Sequence, residues 1–353
     1  MTKALESRGI GSAILAAFLF GISTPIAKGL LSNISPQLLA GLFYLGSGLG
    51  LAALWILLRG KTSLEASLTR KDLPWLSGAS VFGGILGPML LLLGLQTTFA
   101  SMASLLLNLE AVFTAILAWT LFHEHSGRKF TLGMAAILAG SALVSWQGSI
   151  GETSLFGPLA VAGACLCWAI DNNMTQKVSS GDPRQIGAIK GLAAGAVNTT
   201  LGIGLQNAWP SPPLAAASLL IGFFCYGLGI MFFVISLRTL GTARTAAYFS
   251  SAPFVGAVGG LLIWGEPVTQ FLIFGSVSMA IGVLLCVTER HEHIHTHETL
   301  YHDHRHVHDV HHHHEHSPDQ VDHEPHSHPH LHKKLVHSHG HNPDIHHRHC
   351  HEK

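Results

Sequence analysis

The chain has 353 residues, a formal net charge of zero with histidine neutral, and only 11% charged residues. A soluble domain carries about a quarter of its residues as charges, and here eleven of the twenty acids and six of the twenty bases follow Thr288. Residues 10–288 are left nearly continuous in apolar character, broken by short polar gaps, which excludes an ordinary soluble domain.

Lys3 and Arg8 precede an apolar run over 10–31. A basic start of this kind also opens a signal peptide, but the run is too long for an h-region and no small-residue cleavage site closes it. It is expected to stay as the first spanning helix. A spanning helix needs about 20 mainly apolar residues, and nine more segments qualify: 37–58, 74–94, 101–121, 130–148, 156–177, 185–206, 214–237, 245–264 and 269–287. Pro36, Pro74, Pro158, Pro213 and Pro267 fall near the starts of several, where a missing amide donor is harmless. Cys165, Cys167, Cys225 and Cys286 lie inside these segments and read as small packing residues.

Basic residues orient the spans. With the amino terminus inside, the inner segments hold 18 of the 20 Lys and Arg residues, the outer loops hold none, and Lys28 and Lys190 lie within helices. Both termini are therefore expected in the cytoplasm of a multi-pass protein of a bacterial inner membrane.

The body also repeats itself. Shifted by 142 residues, the third to fifth spans fall on the eighth to tenth, with matches that include Gly87/Gly229, Glu124/Glu266, Gly133/Gly275 and Gly140/Gly282. Each copy has five spans. An odd number forces the second copy to enter the membrane upside down, the inverted-repeat plan of secondary carriers.

On these residues the chain resembles the drug/metabolite transporter superfamily, in its EamA branch. The resemblance rests on Gly94 through Glu124 with Gly133 and Gly140, and on Ser236 through Pro267 with Gly275 and Gly282. Phe20-Gly21 and Trp168-Ala169 fit the openings of the two copies. A proline often found midway along the fourth helix is absent, whereas Pro253 supplies it in the ninth. The resemblance implies an all-α integral membrane fold with ten transmembrane helices in two inverted five-helix repeats, 9–148 and 156–288. It implies carriage of small metabolites and no enzyme activity, but no particular cargo.

Ionisable groups inside a membrane are costly and so are candidates for function. Glu110 lies midway along the span 101–121, beside Asn108, and has no acid at its repeat equivalent, Ala252. It could couple protons, bind cargo or simply bond a neighbouring helix. Asp171 is six residues from Lys177, and Lys190 is six residues from Arg184 on the next, antiparallel span. Both should sit roughly 9 Å inside the boundary at about 1.5 Å per residue, close enough to pair. Alternatively Lys190 snorkels and Asp171 bonds Asn172, Asn173 or Gln176. Lys28, near the outer end of its span, is expected to snorkel. Glu124 and Glu266 are expected to complement the dipole of the helix that follows each.

Residues 289–353 are expected to be disordered and rich in metal ligands, since 25 of the 27 histidines lie there. Candidates are His291, His293, His295 and His297; His302, His304, His306 and His308; and the run His311, His312, His313 and His314. They continue with His326, His328, His330 and His332, then His337, His339 and His341, and end with His349, Cys350 and His351. Neutral imidazole binds zinc, nickel, cobalt and copper, so metal binding by the tail is expected, with no cofactor required by the body. The partners expected are a small-molecule or ion substrate and the bilayer, not nucleic acid. Two cargoes stay open: a small organic metabolite, with the tail as regulator or buffer, or a divalent transition metal concentrated by the tail. A non-transporting metal sensor is the remaining alternative.

Overall fold

The structure, a computed structural model, describes residues 3–58, 72–122, 128–146, 155–176, 178, 182–240, 245 and 248–288, with 292–297, 300–306, 326–332 and 335–340 in the tail. Ten helical passes follow in order: α1 (Lys3–Leu30), α2 (Pro36–Leu58), α3 (Leu73–Thr97), α4 (Ala100–Leu106 and Leu109–Phe122) and α5 (Arg128–Ser145) make the first half. The second half is α6 (Phe156–Gln176), α7 (Pro183–Gly204), α8 (Pro212–Ile221 continued by Gly222–Leu228 and Gly229–Leu240), α9 (Ala252–Trp264) and α10 (Gln270–Thr288). Seven of them are long and apolar enough to cross a bilayer by composition alone. The helix α6 interrupts its apolar run with Asp171, Asn172 and Asn173, and α9 is a shorter apolar helix that follows a turn at Ser250 and Ser251.

Two-fold pseudo-symmetry is written in the packing. The helix α2 packs on its repeat equivalent α7, and α5 on α10. The contacts of α1 with α8 and α9 are matched by those of α6 with α3 and α4. At the α5–α10 crossing the repeated glycines meet each other. A Cβ at Gly140 would stand 2.7 Å from the Gly275 carbonyl oxygen, and one at Gly282 2.6 Å from the Gly133 carbonyl oxygen. Backbone approach this close tolerates no side chain, which is how small residues hold helices together in lipid. Ser278 Oγ donates to the Ala136 carbonyl at 2.8 Å across the same crossing.

Two irregularities recur at the repeat spacing. The helix α3 widens to π geometry over Ser80–Leu86, and α8 does so over Gly222–Leu228. The fourth and ninth passes both break: α4 at Leu107 and Asn108, and the ninth at Ser250 and Ser251. In the ninth, Pro253 lies in the first turn of α9. In the fourth no proline is needed, because Asn108 Nδ2 donates to the Leu105 carbonyl at 2.9 Å within the break. Span 101–121 is therefore not one continuous helix as expected, and Glu110 stands in the first turn of its second piece.

The described residues of the tail lie in four short strands. Strands β1 (Glu292–His297) and β4 (Leu335–Gly340) pair antiparallel, as do β2 (Leu300–His306) and β3 (His326–His332). Low apolar content argues against a packed core, but the strict alternation of histidine with other residues is a period of two, the period of a strand.

Candidate translocation site

Most of the expected site residues converge where α3, α4, α6 and α7 meet. The widened turn of α3 is the anchor. A π turn leaves carbonyls without their usual helical partners, and here side chains from three other helices supply donors. Tyr44 Oη of α2 donates to the Gly83 carbonyl at 2.7 Å, and Trp168 Nε1 of α6 donates to the same oxygen at 3.0 Å. Asn198 Nδ2 of α7 donates to the Gly84 carbonyl at 2.9 Å.

One helical turn beyond Trp168, Asp171 and Lys190 form the expected ion pair, with Nζ 2.5 Å from Oδ1. Thr175 completes a triangle: its hydroxyl donates to Asp171 Oδ1 at 2.8 Å and accepts from Lys190 Nζ at 3.0 Å. Asp171 is 9% exposed, so the pair is buried. Gly83 packs directly against the Asp171 side chain, leaving no room for a Cβ.

Glu110 comes from α4 into the same cluster. Its Oε1 accepts from Asn172 Nδ2 at 2.7 Å, and it is half-buried rather than sealed. Its partner Asn172 is a neutral amide, whereas Asp171 has a cation. Ionised together, Glu110, Asp171 and Lys190 leave the cluster one negative charge in excess. Asn108 does not join it; it is buried and donates to Leu105 and toward Met279 Sδ at 3.9 Å.

The remaining expectations resolve differently. Lys28 does not snorkel: its Nζ donates to the Leu95 carbonyl at 3.0 Å and also to that of Thr98. These belong to the last turn of α3 and to the capping residue just after it, where carbonyls have no helical partners. Glu266 does not serve the helix that follows it. Its carboxylate accepts from Ala100 N at 2.6 Å and Ser101 N at 2.8 Å, closing the start of α4 in the other repeat. Gly265, in left-handed backbone at φ 59°, turns the chain so that it can. A hollow of about 350 Å³ lies beside Lys28, Phe99, Trp264 and Glu266, and none of its lining residues belongs to the Glu110 cluster. Glu124 and the candidate ligands His291, His308, His311, His312, His313, His314, His341, His349, Cys350 and His351 lie outside the described residues, and no side chain of the tail is described.

The model of the EamA-like transporter family matches residues 7–146 and again 155–288. The chain belongs to the EamA-like transporter family. An uncharacterized transporter of Methanothermobacter thermautotrophicus is 26% identical over 293 residues, covering 78% of this chain and 85% of that protein. The uncharacterized transporter YyaM of Bacillus subtilis is 25% identical over 282 residues, covering 75% of this chain and 88% of its own length. A solved crystal structure superposes with a TM-score of 0.59 at 17% identity, covering 78% of this chain and 95% of the other, and so shares the fold. Membership makes the chain a membrane transporter built from two EamA units.

The cluster lies where the two EamA units meet: Tyr44, Gly83 and Glu110 belong to the first, and Trp168, Asp171, Asn172, Lys190 and Asn198 to the second. Reading the sequence for charges finds Glu110, Asp171, Asn172 and Lys190 but misses Tyr44, Thr175 and Asn198. A signal was present on α6, where Trp168, Asp171, Asn172 and Thr175 recur at helical spacing and so share one face.

Proposed function

We propose that this protein is a secondary active carrier that exports or exchanges a small organic metabolite through the Glu110 cluster. The observation that carries the reading is the placement of Glu110. A carboxylate stands at the start of a half-helix in a broken span, and its side chain bonds Asn172 of the opposite repeat. Discontinuous helices meeting between inverted repeats are where carriers of this architecture hold cargo and coupling ions. Contacts that cross between the halves are also the ones that rocking would have to remake. Tyr226 supports the reading with its ring centroid 5.8 Å from that of Tyr44 and 6.0 Å from that of Phe20, giving the polar cluster an aromatic flank.

Both termini are assigned to the cytoplasm, in a bacterial inner membrane, from the distribution of basic residues. The tail is assigned to bind zinc, nickel, cobalt or copper as a regulator or buffer. Purified protein in vesicles with an imposed pH gradient, offered a panel of labelled amino acids, amines and organic acids, tests the carrier. Saturable flux of one class, driven by the gradient in wild type and uncoupled from it in Glu110→Gln, is the expected result.

A metal cargo is the second reading, favoured by the histidines of the tail. The described side chains of the body bring together no group of three or more His, Cys, Asp or Glu, and the cluster offers hard oxygen and amide groups. Zinc, nickel or cobalt flux that persists in a chain ending at Thr288, and that is lost with Glu110→Gln, would install the metal carrier instead.

A further inference from the structure

The register of the tail strands sorts histidine by face. In β1·β4, His293 stands opposite His339 and His295 opposite His337. In β2·β3, His302 stands opposite His330, His304 opposite His328 and His306 opposite His326. Directly opposite positions of an antiparallel pair share a face, and positions two apart along a strand share it as well. Every histidine of the paired positions therefore falls on one face of its ladder. The other face of β1·β4 holds Ile294, Thr296, Val336 and Ser338, and that of β2·β3 holds Tyr301, Asp303, Arg305 and Leu331 among others.

Opposite positions lie about 5 Å apart, and the next pair on the same face lies about 7 Å along the strand. Two successive pairs thus gather four histidines on a patch of the size a single ion with Zn–N bonds of about 2.0–2.1 Å can draw together. The same rows explain a dependence on metal. Like charges directly opposite repel, so protonated histidines oppose the pairing, whereas a shared divalent cation between neutral imidazoles favours it.

We propose that the tail binds divalent transition metal through cross-strand histidine ladders: one site at His293, His295, His337 and His339, and another at His302, His304, His328 and His330, continued by the His306/His326 pair. This deepens the metal-binding reading of the tail and rests on it. The ligand class is a borderline first-row ion, with Zn(II) suited by four nitrogens in tetrahedral array. Placement, not histidine content, makes the sites.

The test keeps composition constant. In full-length purified protein, Asp303→His with His304→Asp, and Arg305→His with His306→Arg, move two histidines of β2 to the opposite face without changing any residue count. A control exchanges neighbours outside the ladders, Val310→His with His311→Val. Cobalt(II) absorption reports ligand geometry, and zinc competition followed by titration calorimetry counts and ranks the sites. The wild type and the control are expected to bind alike, and the ladder exchange to weaken one class of site at least tenfold with loss of its tetrahedral cobalt band. Equal binding by the wild type and the ladder exchange overturns the ladders while leaving a metal-binding tail. A wild type that binds neither cobalt nor zinc removes both.

Discussion

Glu110 and its repeat equivalent Ala252 occupy matching backbone positions, each opening a half-helix after a break. The backbone is duplicated and the chemistry is not. A carboxylate in this setting must be answered by a cation, a proton or a hydrogen-bonding surround, and Glu110 is answered by the side-chain amide of Asn172. Glutamine keeps the size and still offers Asn172 an acceptor. Glu110→Gln should therefore insert and unfold like wild type in detergent while losing the pH-dependent part of transport; an unchanged pH profile in vesicles would return Glu110 to a structural role. Asp171 and Lys190 obey a different arithmetic. Removing one partner of a buried pair typically costs about 3–5 kcal/mol, because the other charge is stranded, whereas replacing both with apolar residues is often near neutral. Lys190→Met alone should lower thermal stability sharply, and Asp171→Leu with Lys190→Met should recover most of the loss. Additive losses across this double-mutant cycle would show that the 2.5 Å contact contributes little.

Helices were easier to read in the sequence than their interruptions. Ten apolar runs, the glycines at 133, 140, 275 and 282 and the offset of 142 residues all follow from composition and period. The crossing then satisfies that offset, since Gly133 meets Gly282 and Gly140 meets Gly275. The π turns at Ser80–Leu86 and Gly222–Leu228 were not legible, because an extra residue in a turn leaves hydropathy unchanged. The break in α4 was hidden for a related reason: proline advertises a break, and Asn108 makes one by a side-chain bond that hydropathy does not see. Long-range capping was hidden as well. Glu266 precedes α10 in the chain but accepts from Ala100 and Ser101 of α4, a pairing only the fold can reveal. Glutamine at 266 retains one acceptor oxygen and no charge. Glu266→Gln should thus cost about 1–2 kcal/mol, the scale of a lost helix cap, read as a lowered unfolding midpoint with the pH response of transport preserved. A loss of pH coupling in that variant would instead give Glu266 a place in the transport cycle.

At the scale of the molecule, orientation follows from where the bilayer lets basic residues stay. Helices fix only that successive ends alternate sides, and two inverted units of five make either orientation geometrically sound. We propose that charge breaks the tie. Lys3, Arg8, Arg128, Lys129, Arg184 and Arg238 all fall on the side of the amino terminus, while 32–36, 95–100, 149–155, 207–213 and 265–268 carry no Lys or Arg. Short loops with such a bias stay in the cytoplasm. Lys28, the one basic residue near the opposite end of its helix, is held by the carbonyls of Leu95 and Thr98 rather than left in a loop, so it does not weaken the bias. Alkaline phosphatase, which gains activity only outside the cytoplasm, reports the side directly. A fusion after Ser211, between α7 and α8, should be active, and fusions after Ser145 and Lys353 should be active and silent respectively. Between them these positions sample both repeats and the tail. An active fusion at Lys353 with a silent one at Ser211 would turn the whole molecule over, and would place the histidines of the tail outside the cell, where they could not meter a cytoplasmic metal.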